Sequence, residues 1–137
     1  MASHPSDTPV GVVTKPSPRS VAATVDRLQR LLADKGLMIF AVIDHSGEAK
    51  RAGLTMPDTK LVIFGSPTAG TPVMVVAPLA ALDLPLKLLV WEDSSESVWV
   101  SYNSPSFLAK RHRLSDVMRE RLEPIEAMSD AVIAADT

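Results

Sequence analysis

One stretch decides how this chain folds, residues 83–105, which read DLPLKLLVWEDSSESVWVSYNSP. The stretch holds both tryptophans and the only tyrosine of a chain of 137 residues. Two runs rich in aliphatic and aromatic residues flank the polar segment SSE, which is the pattern of two strands joined by a turn. We therefore predict a β-hairpin here.

The register of this hairpin follows from the alternation of its side chains. If Asp93 lies opposite Ser97, one face is aliphatic apart from Tyr102 and the other face carries both tryptophans. A register shifted by one residue would mix the two faces, so the pattern itself selects this alignment. The predicted cross-strand pairs are Trp91 with Trp99, Leu89 with Ser101, and Val90 with Val100.

Helices are predicted after the hairpin. Ser104 precedes Pro105, which is a capping hydroxyl followed by proline at the first helical position. A second start lies at Ser115, and Pro124 must kink or break the helix that begins there. The apolar stripe of this second segment consists of Leu114, Met118, Leu122 and Ile125.

A further helix is predicted before the hairpin. Ser17 and Pro18 give the same capping pattern, and Gly36 after Lys35 is a stop signal. Residues 10–14 form a short apolar run and are the candidate first strand. The buried stripe of the helix is predicted from the spacings of four, three and four residues that separate Val21, Val25, Leu28 and Leu32.

Two more strands are predicted between that helix and the hairpin. Residues 37–44 form a continuous apolar run and are predicted to be a buried strand, and residues 59–65 form another. Residues 45–53 are predicted to form one or two helical turns. Thr71 and Pro72 indicate the start of a short helix, with a strand as the alternative because valines follow.

The order of these elements favours the α+β class. Strands do not alternate strictly with helices, so we predict a two-layer sandwich, with a mainly antiparallel sheet and helices on one face. Residues 10–126 are predicted to be a single domain. Residues 1–9 are expected to be a disordered arm and residues 127–137 a fraying tail.

A two-layer domain covers one face of its sheet, which raises the question of where Trp91 and Trp99 lie. Exposed tryptophan pairs are unusual on monomers, and aromatic residues are enriched at protein interfaces. We predict that the pair packs in a homodimer interface. The alternative is that the same pair lies under the helices as part of the core.

Composition excludes several classes of function. The net charge is −2, so no basic excess indicates nucleic-acid binding. There are no cysteines, which excludes disulfides, zinc–cysteine sites and thiol catalysis and favours a reducing cytoplasm. No secretory signal is predicted, and the most apolar region is too often interrupted for a membrane span. We expect a soluble, cytoplasmic protein.

Two histidines are candidate catalytic residues. His45 follows a predicted strand, with Asp44 before it, and His112 ends a predicted helix in the sequence AKRH. A histidine beside carboxylates can be an oriented base or a metal ligand. If the two histidines converge with Asp44 or Glu92, they would form a metal or acid–base site. The alternatives are a helix cap at Asp44 and a solvated basic helix end at His112.

The candidate ligand-binding segment is FGSPTAGTP, residues 64–72. It places two glycines between a strand and a helix, where backbone amides can hold an anion. It is not a P-loop because the lysine is missing, and a turn with a helix cap is the alternative. In SYN, a buried tyrosine hydroxyl needs a partner and the asparagine can cap a turn. The candidate ligand-binding residues are Phe64, Gly65, Gly70, Thr71, Tyr102 and Asn103.

Four phrases together resemble the bacterial and archaeal family called domain of unknown function 302. They are TVDRLQRLLADKGLMIFAVIDHSGEAKRAGL, LVIFGSPTAGTPVM, ALDLPLKLLVWED and VWVSYNSPSFLAKRH. The resemblance covers roughly Val10 to Ile125. It implies a small α+β domain with a curved sheet, often homodimeric, and no established activity. Ser66 stands where asparagine is common in the family and Ser104 where aspartate is common.

Three readings of the function stay open. The first is a homodimeric module that binds a small, anionic ligand in a pocket bounded by residues 64–72, His45 and Tyr102. The second is an enzyme or metal-dependent protein that uses His45 and His112, with Asp44, Asp83 or Glu92. The third is a structural or interaction domain that works through the face of Trp91 and Trp99. No cofactor is assigned, and no nucleic-acid or membrane partner is expected.

Overall fold

A computed structural model describes residues 8–136 of the chain, and the predicted N-terminal arm lies outside them except for residues 8 and 9. The strands are β1 (Val12–Ser17), β2 (Met38–Asp44), β3 (Thr59–Gly65), β4 (Leu86–Glu92) and β5 (Val98–Asn103). The helices are α1 (Val21–Asp34), α2 (His45–Arg51), α3 (Pro67–Val76), α4 (Pro105–His112), α5 (Asp116–Glu120) and α6 (Pro124–Ile133), and a 3₁₀ turn spans Pro78–Leu82.

The strands form one antiparallel sheet in the order β1-β5-β4-β3-β2. The two edge strands, β1 and β2, are consecutive in the chain, so α1 must cross the sheet to join them. Helices α1 and α6 pack together on one face of the sheet. The predicted α+β, two-layer architecture is therefore confirmed.

The hairpin of β4 and β5 has the predicted register. Trp91 pairs with Trp99, and the flanking pairs are also as expected. The Asp93 carboxylate stabilises the turn because it accepts hydrogen bonds from the backbone N–H groups of Ser95 (2.8 Å) and Ser97 (3.0 Å). Alternation of side chains was sufficient to predict this element.

The core lies between the sheet and the pair α1 and α6. The predicted stripe of α1 is buried throughout, and Gly36 ends the helix region with a φ of 69°. The largest buried side chain is Phe64 of β3, which has no exposed surface. The other central residues come from three strands and from α6: Val62, Leu88, Val90, Val100, Tyr102, Ile125, Met128 and Val132.

The prediction of a fraying tail from residue 127 is wrong. Helix α6 continues to Ile133, and Met128 and Val132 are buried against the core. Two arginines of the N-terminal half hydrogen-bond to carbonyl groups at the end of this helix. Arg19 donates to Val132 O (2.8 Å) and Arg27 to Ala131 O (3.2 Å). These long-range contacts satisfy the last carbonyls, which a local reading of the sequence could not anticipate.

Two predicted helix starts and the predicted burial of one strand are corrected. Helix α1 is capped by Ser20, whose hydroxyl accepts from Ala23 N, because β1 runs on to Ser17. Helix α3 begins at Pro67 rather than near Thr71, and it contains Pro72. Strand β2 is an edge strand, so the run that was predicted to be buried exposes its side chains at Met38 (49%), Phe40 (47%) and Val42 (38%).

Among residues 8–136, no helix is both long enough and apolar enough to cross a membrane.

Candidate functional site

A cavity of about 250 Å³ lies where β3 ends and β4 begins. The start of β2, the N-terminal part of α3, the residues before β4 and the link between α5 and α6 enclose it. Its wall consists of Leu37, Phe40, Gly65, Ser66, Pro67, Ala69, Gly70, Thr71, Met74, Leu84, Pro85, Leu86, Arg121, Leu122 and Pro124. Most of these side chains are apolar, so the cavity suits an apolar molecule.

Gly65 brings three segments together at this cavity. It is buried at the end of β3, and a methyl group in the position of a β-carbon would lie 3.7 Å from Pro85 Cβ and 3.9 Å from Phe40 Cε2. Pro85 belongs to the loop before β4, and Phe40 to the edge strand. The small side chain at position 65 therefore leaves the space between these two rings open.

Two polar side chains interrupt the apolar wall. Ser66 is the N-cap of α3, but its hydroxyl makes no capping hydrogen bond. Arg121 lies at the C-terminal end of α5, and its Nε is buried without a hydrogen-bond partner among the described residues. The positive end of the α3 dipole and the Arg121 guanidinium favour negative charge in the same cavity.

The predicted ligand-binding residues separate into two groups. Gly65, Gly70 and Thr71 lie on the cavity wall. Phe64, Tyr102 and Asn103 do not line it. Phe64 alternates with Gly65 along β3 and so points into the core instead, and Asn103 is exposed at the end of β5.

Tyr102 lies in a polar cluster that joins β1, β5 and α6. Its hydroxyl donates to the Glu126 carboxylate, and burial together with this hydrogen bond raises the pKa of Tyr102. Lys15 donates to Ser129 Oγ and to Asp130 Oδ1, both at 2.8 Å. Burial alone would lower the pKa of Lys15, but the hydrogen bonds and negative charges of Asp130 and Tyr102 together outweigh it and the pKa is raised. This cluster gives the tyrosine hydroxyl the partner that the sequence required.

His112 forms a close pair with Asp83. Its Nε2 lies 2.5 Å from Asp83 Oδ2, and the two side chains are only 7% and 16% exposed. Arg111 approaches the same oxygen at 3.4 Å. The pair ties the end of α4 to the segment that leads into β4. A carboxylate that fixes an imidazole is a common catalytic arrangement, but neither residue lines the cavity.

His45 is distant from this pair. It is exposed and begins α2, at the opposite end of the sheet from His112, so the two histidines do not converge as the hypothesis of a shared site requires. Asp44 caps α2 by accepting from Gly47 N (2.9 Å), and this hydrogen bond is the main reason why its pKa lies below the ordinary value. No cluster of three or more potential metal ligands occurs within the described part of the chain.

The second face of the sheet, called here the open face, carries Leu61, Ile63, Leu89, Trp91 and Trp99. Helices α1 and α6 pack on the other face, so the alternative of a tryptophan pair under the helices is wrong. Both indole N–H groups are satisfied within the domain, Trp91 by Ser101 Oγ (2.9 Å) and Trp99 by Asp93 Oδ2 (2.8 Å). These five side chains are each partly exposed.

Sequence reasoning did not find Arg121. No spacing or motif marks it, because it follows a short helix and reaches the cavity only through the position of the link between α5 and α6. The same holds for Lys15, which follows the predicted first strand of residues 10–14 and belongs to β1 in the structure. Leu84 and Pro85 were noticed as part of the resemblance to a family, and the structure places them on the cavity wall.

Three comparisons relate the chain to known proteins. The model of the family described as "Domain of unknown function DUF302" matches residues 13–132. A crystal structure of an uncharacterized conserved protein DUF302 from Bacillus stearothermophilus superposes with a TM-score of 0.74 at 17% identity. That superposition covers 91% of this chain and 97% of that one.

Curated relatives carry a similar segment within longer chains. Proteins named fluoride-specific ion channel FluC 1, from Brucella suis and Brucella abortus, are each 44% identical over 104 residues. The match covers 76% of this chain but only 41% and 38% of those relatives. This chain thus spans about two fifths of the curated relatives that it matches.

Proposed function

Since this chain belongs to the DUF302 family, whose description states no activity, we propose from its geometry that it binds a small apolar ligand in the cavity beside α3. The observation that carries this proposal is the open space of about 250 Å³ behind Gly65 and Gly70. Sites for small ligands are concave and lined mainly by apolar side chains, so this apolar cavity supports a binding role.

The position of the cavity also supports binding. It lies at the ends of β3 and β4, where the sheet is a rigid scaffold and the surrounding residues come from loops and helix ends. The wall residues come from segments far apart in the chain, and the core beneath them is fully packed. A ligand could therefore bind without rearrangement of the core.

The proposal is tested by filling the cavity at Gly70. A β-carbon at this position would meet only Met74 Cε, at 4.0 Å, so leucine has room to extend into the cavity. We expect saturable shifts of the Gly65 amide signal in NMR spectra of the unaltered protein titrated with indole, and loss of these shifts in Gly70→Leu. The Thr68→Leu variant is the control, because Thr68 is exposed on α3 and does not line the cavity. If Gly70→Leu bound indole as the unaltered protein does, the cavity would be ruled out as the binding site.

We also propose that the domain is a homodimer joined through the open face. The face presents apolar side chains whose indole N–H groups already have partners, so a polar partner would find no hydrogen bonds there. The Asp93 carboxylate accepts from the Trp99 indole, and the Lys87 ammonium donates to the carbonyl oxygens of Asp83 and Pro85. A second copy offers the same apolar face, which suits a two-fold interface.

The dimer is tested by placing a charge on the open face. We expect Leu89→Glu to convert a dimer into a monomer in sedimentation velocity, because a buried unpaired carboxylate at the interface is strongly unfavourable. Leu79→Glu is the matched control, since Leu79 is 72% exposed in a second apolar segment after α3. Dissociation by Leu79→Glu alone would move the interface to that segment, and a monomeric unaltered protein would refute the dimer.

The curated relatives favour a second candidate function. Because similar segments occur in chains named fluoride-specific ion channels, we propose that the domain assists fluoride transport without conducting the ion itself. In a host that encodes this chain, deletion of its gene is expected to lower growth at increasing sodium fluoride, and the unaltered gene should restore it. Equal fluoride tolerance of the deletion and parent strains would contradict this role.

A further inference from the structure

Arg121 stands apart from the other charged groups near the cavity. Among residues 8–136, every buried side-chain nitrogen or oxygen has a hydrogen-bond partner except Arg121 Nε. Its neighbour Arg119 in α5 contacts Glu123 at 3.6 Å, whereas Arg121 makes no ion pair with a described residue. Burial of an unpaired cationic donor is unfavourable, and proteins retain such groups mainly where a partner arrives from outside.

The cavity itself offers no partner for this guanidinium. None of its wall residues is acidic, and its other polar side chains are the hydroxyl groups of Ser66 and Thr71. The N-terminus of α3 adds a positive potential, which disfavours a second cation and favours an anion. An anionic group of a ligand is therefore the partner that suits Arg121 at this wall.

The shape of the site limits the anion further. A guanidinium presents parallel N–H donors that match the two oxygens of a carboxylate. Among the described residues that line the cavity, Arg121 is the only cationic one, so the cavity balances a single negative charge on the ligand. A dry apolar cavity of about 150 Å³ holds benzene, and the larger volume here, about 250 Å³, has room for a ring and a carboxylate.

We propose that the cavity binds a small apolar monocarboxylate whose carboxylate group pairs with the Arg121 guanidinium while its apolar part contacts Phe40, Met74 and Leu86. This inference rests on the proposed ligand-binding function and names the chemical class of the ligand. The carboxylate accepts from the guanidinium N–H groups of Arg121, and the apolar walls limit the access of water to the pair. Binding is thus selective for an anion with an apolar tail.

The test compares phenylacetate with its neutral analogue phenylacetamide by isothermal titration calorimetry on the full chain. We expect phenylacetate to bind about 10- to 100-fold more tightly, the range that one charge-assisted pair provides. In Arg121→Gln this preference should disappear, chiefly through weaker binding of phenylacetate. Arg119→Gln is the matched control, because it removes the same charge from the same helix at a position that does not line the cavity.

Stability of the ligand-free protein separates this role from a purely structural one. Because the Nε of Arg121 has no partner to lose, Arg121→Gln should leave the thermal midpoint unchanged or raise it. Arg121→Lys keeps the charge without the paired donors and should retain part of the preference. A large fall in the midpoint of Arg121→Gln would assign the residue a structural role and overturn the inference.

The binding outcomes also distinguish the two proposals. Equal affinities for phenylacetate and phenylacetamide in the unaltered protein would overturn the choice of a carboxylate and leave the cavity as an apolar site. If Arg121→Gln still bound phenylacetate more tightly than phenylacetamide, the carboxylate would pair with another group. That outcome would overturn the proposed role of Arg121. Binding of neither compound, nor of indole, would overturn both proposals.

Discussion

Replacement of Phe64 with alanine is expected to lower the free energy of unfolding by about 3–5 kcal/mol. Phe64 is the largest fully buried side chain of the domain and lies on β3 beneath α1. Its removal would lose apolar contacts with the surrounding aliphatic side chains and leave a void that a packed sheet cannot close. Urea denaturation monitored by circular dichroism measures the change.

Phe40→Ala provides the matched control for this change. Phe40 is the same residue type but is 47% exposed on the edge strand, where it lines the cavity. We expect it to cost less than about 1 kcal/mol of stability, as for other exposed sites, and to weaken binding of apolar ligands. Similar stability losses in the two variants would contradict the assignment of Phe64 to the core, and would return it to the candidate ligand-binding residues.

Replacement of Asp83 with alanine is expected to cost about 2–4 kcal/mol, because it leaves the buried His112 without its carboxylate partner. The pair is short, at 2.5 Å, and the His112 side chain is only 7% exposed, so water cannot replace the lost acceptor. The double variant with His112→Phe should recover part of this loss, since it removes the orphaned group as well. A double-mutant cycle in urea gives the coupling free energy of the pair.

Asp116→Ala is the control for the loss of an aspartate. Asp116 contacts Arg119 at 4.0 Å, but its side chain is 95% exposed, so its removal should cost less than about 1 kcal/mol. If Asp83→Ala were equally mild and independent of His112, the pair would not stabilise the segment before β4. A catalytic use of this pair would then be the more attractive explanation for its geometry.

Local patterns predicted much of the fold. Side chains alternate between the two faces along residues 86–92 and 98–103, and this alternation predicted both the hairpin and its register. The apolar stripe from Val21 to Leu32 predicted the buried side of α1. The caps at Asp44, Ser104 and Ser115 were also correct, because a cap depends on residues three positions away. The start of α1 was missed because Ser17–Pro18 imitates a cap three residues before Ser20, and the start of α3 because both Ser66–Pro67 and Thr71–Pro72 offer one.

The candidate site was only partly predictable. The glycines at positions 65 and 70 marked the region of the cavity, because residues without a β-carbon between a strand and a helix indicate a close approach. Arg121 left no signal, since it reaches the cavity only through the tertiary position of the link between α5 and α6. The two histidines appeared equivalent in sequence, whereas the strand order places them at opposite ends of the sheet.

The sequence by itself determined the strands, most helix ends and the two faces of the hairpin, because these depend on neighbours within about four residues along the chain. Only the tertiary structure decided which hairpin face the helices cover, that β2 lies at an edge, and that Arg121 reaches the cavity without a partner. These features depend on the order of strands in the sheet and on the docking of α5 and α6. Contacts of that kind join residues far apart in the chain, and no local periodicity records them.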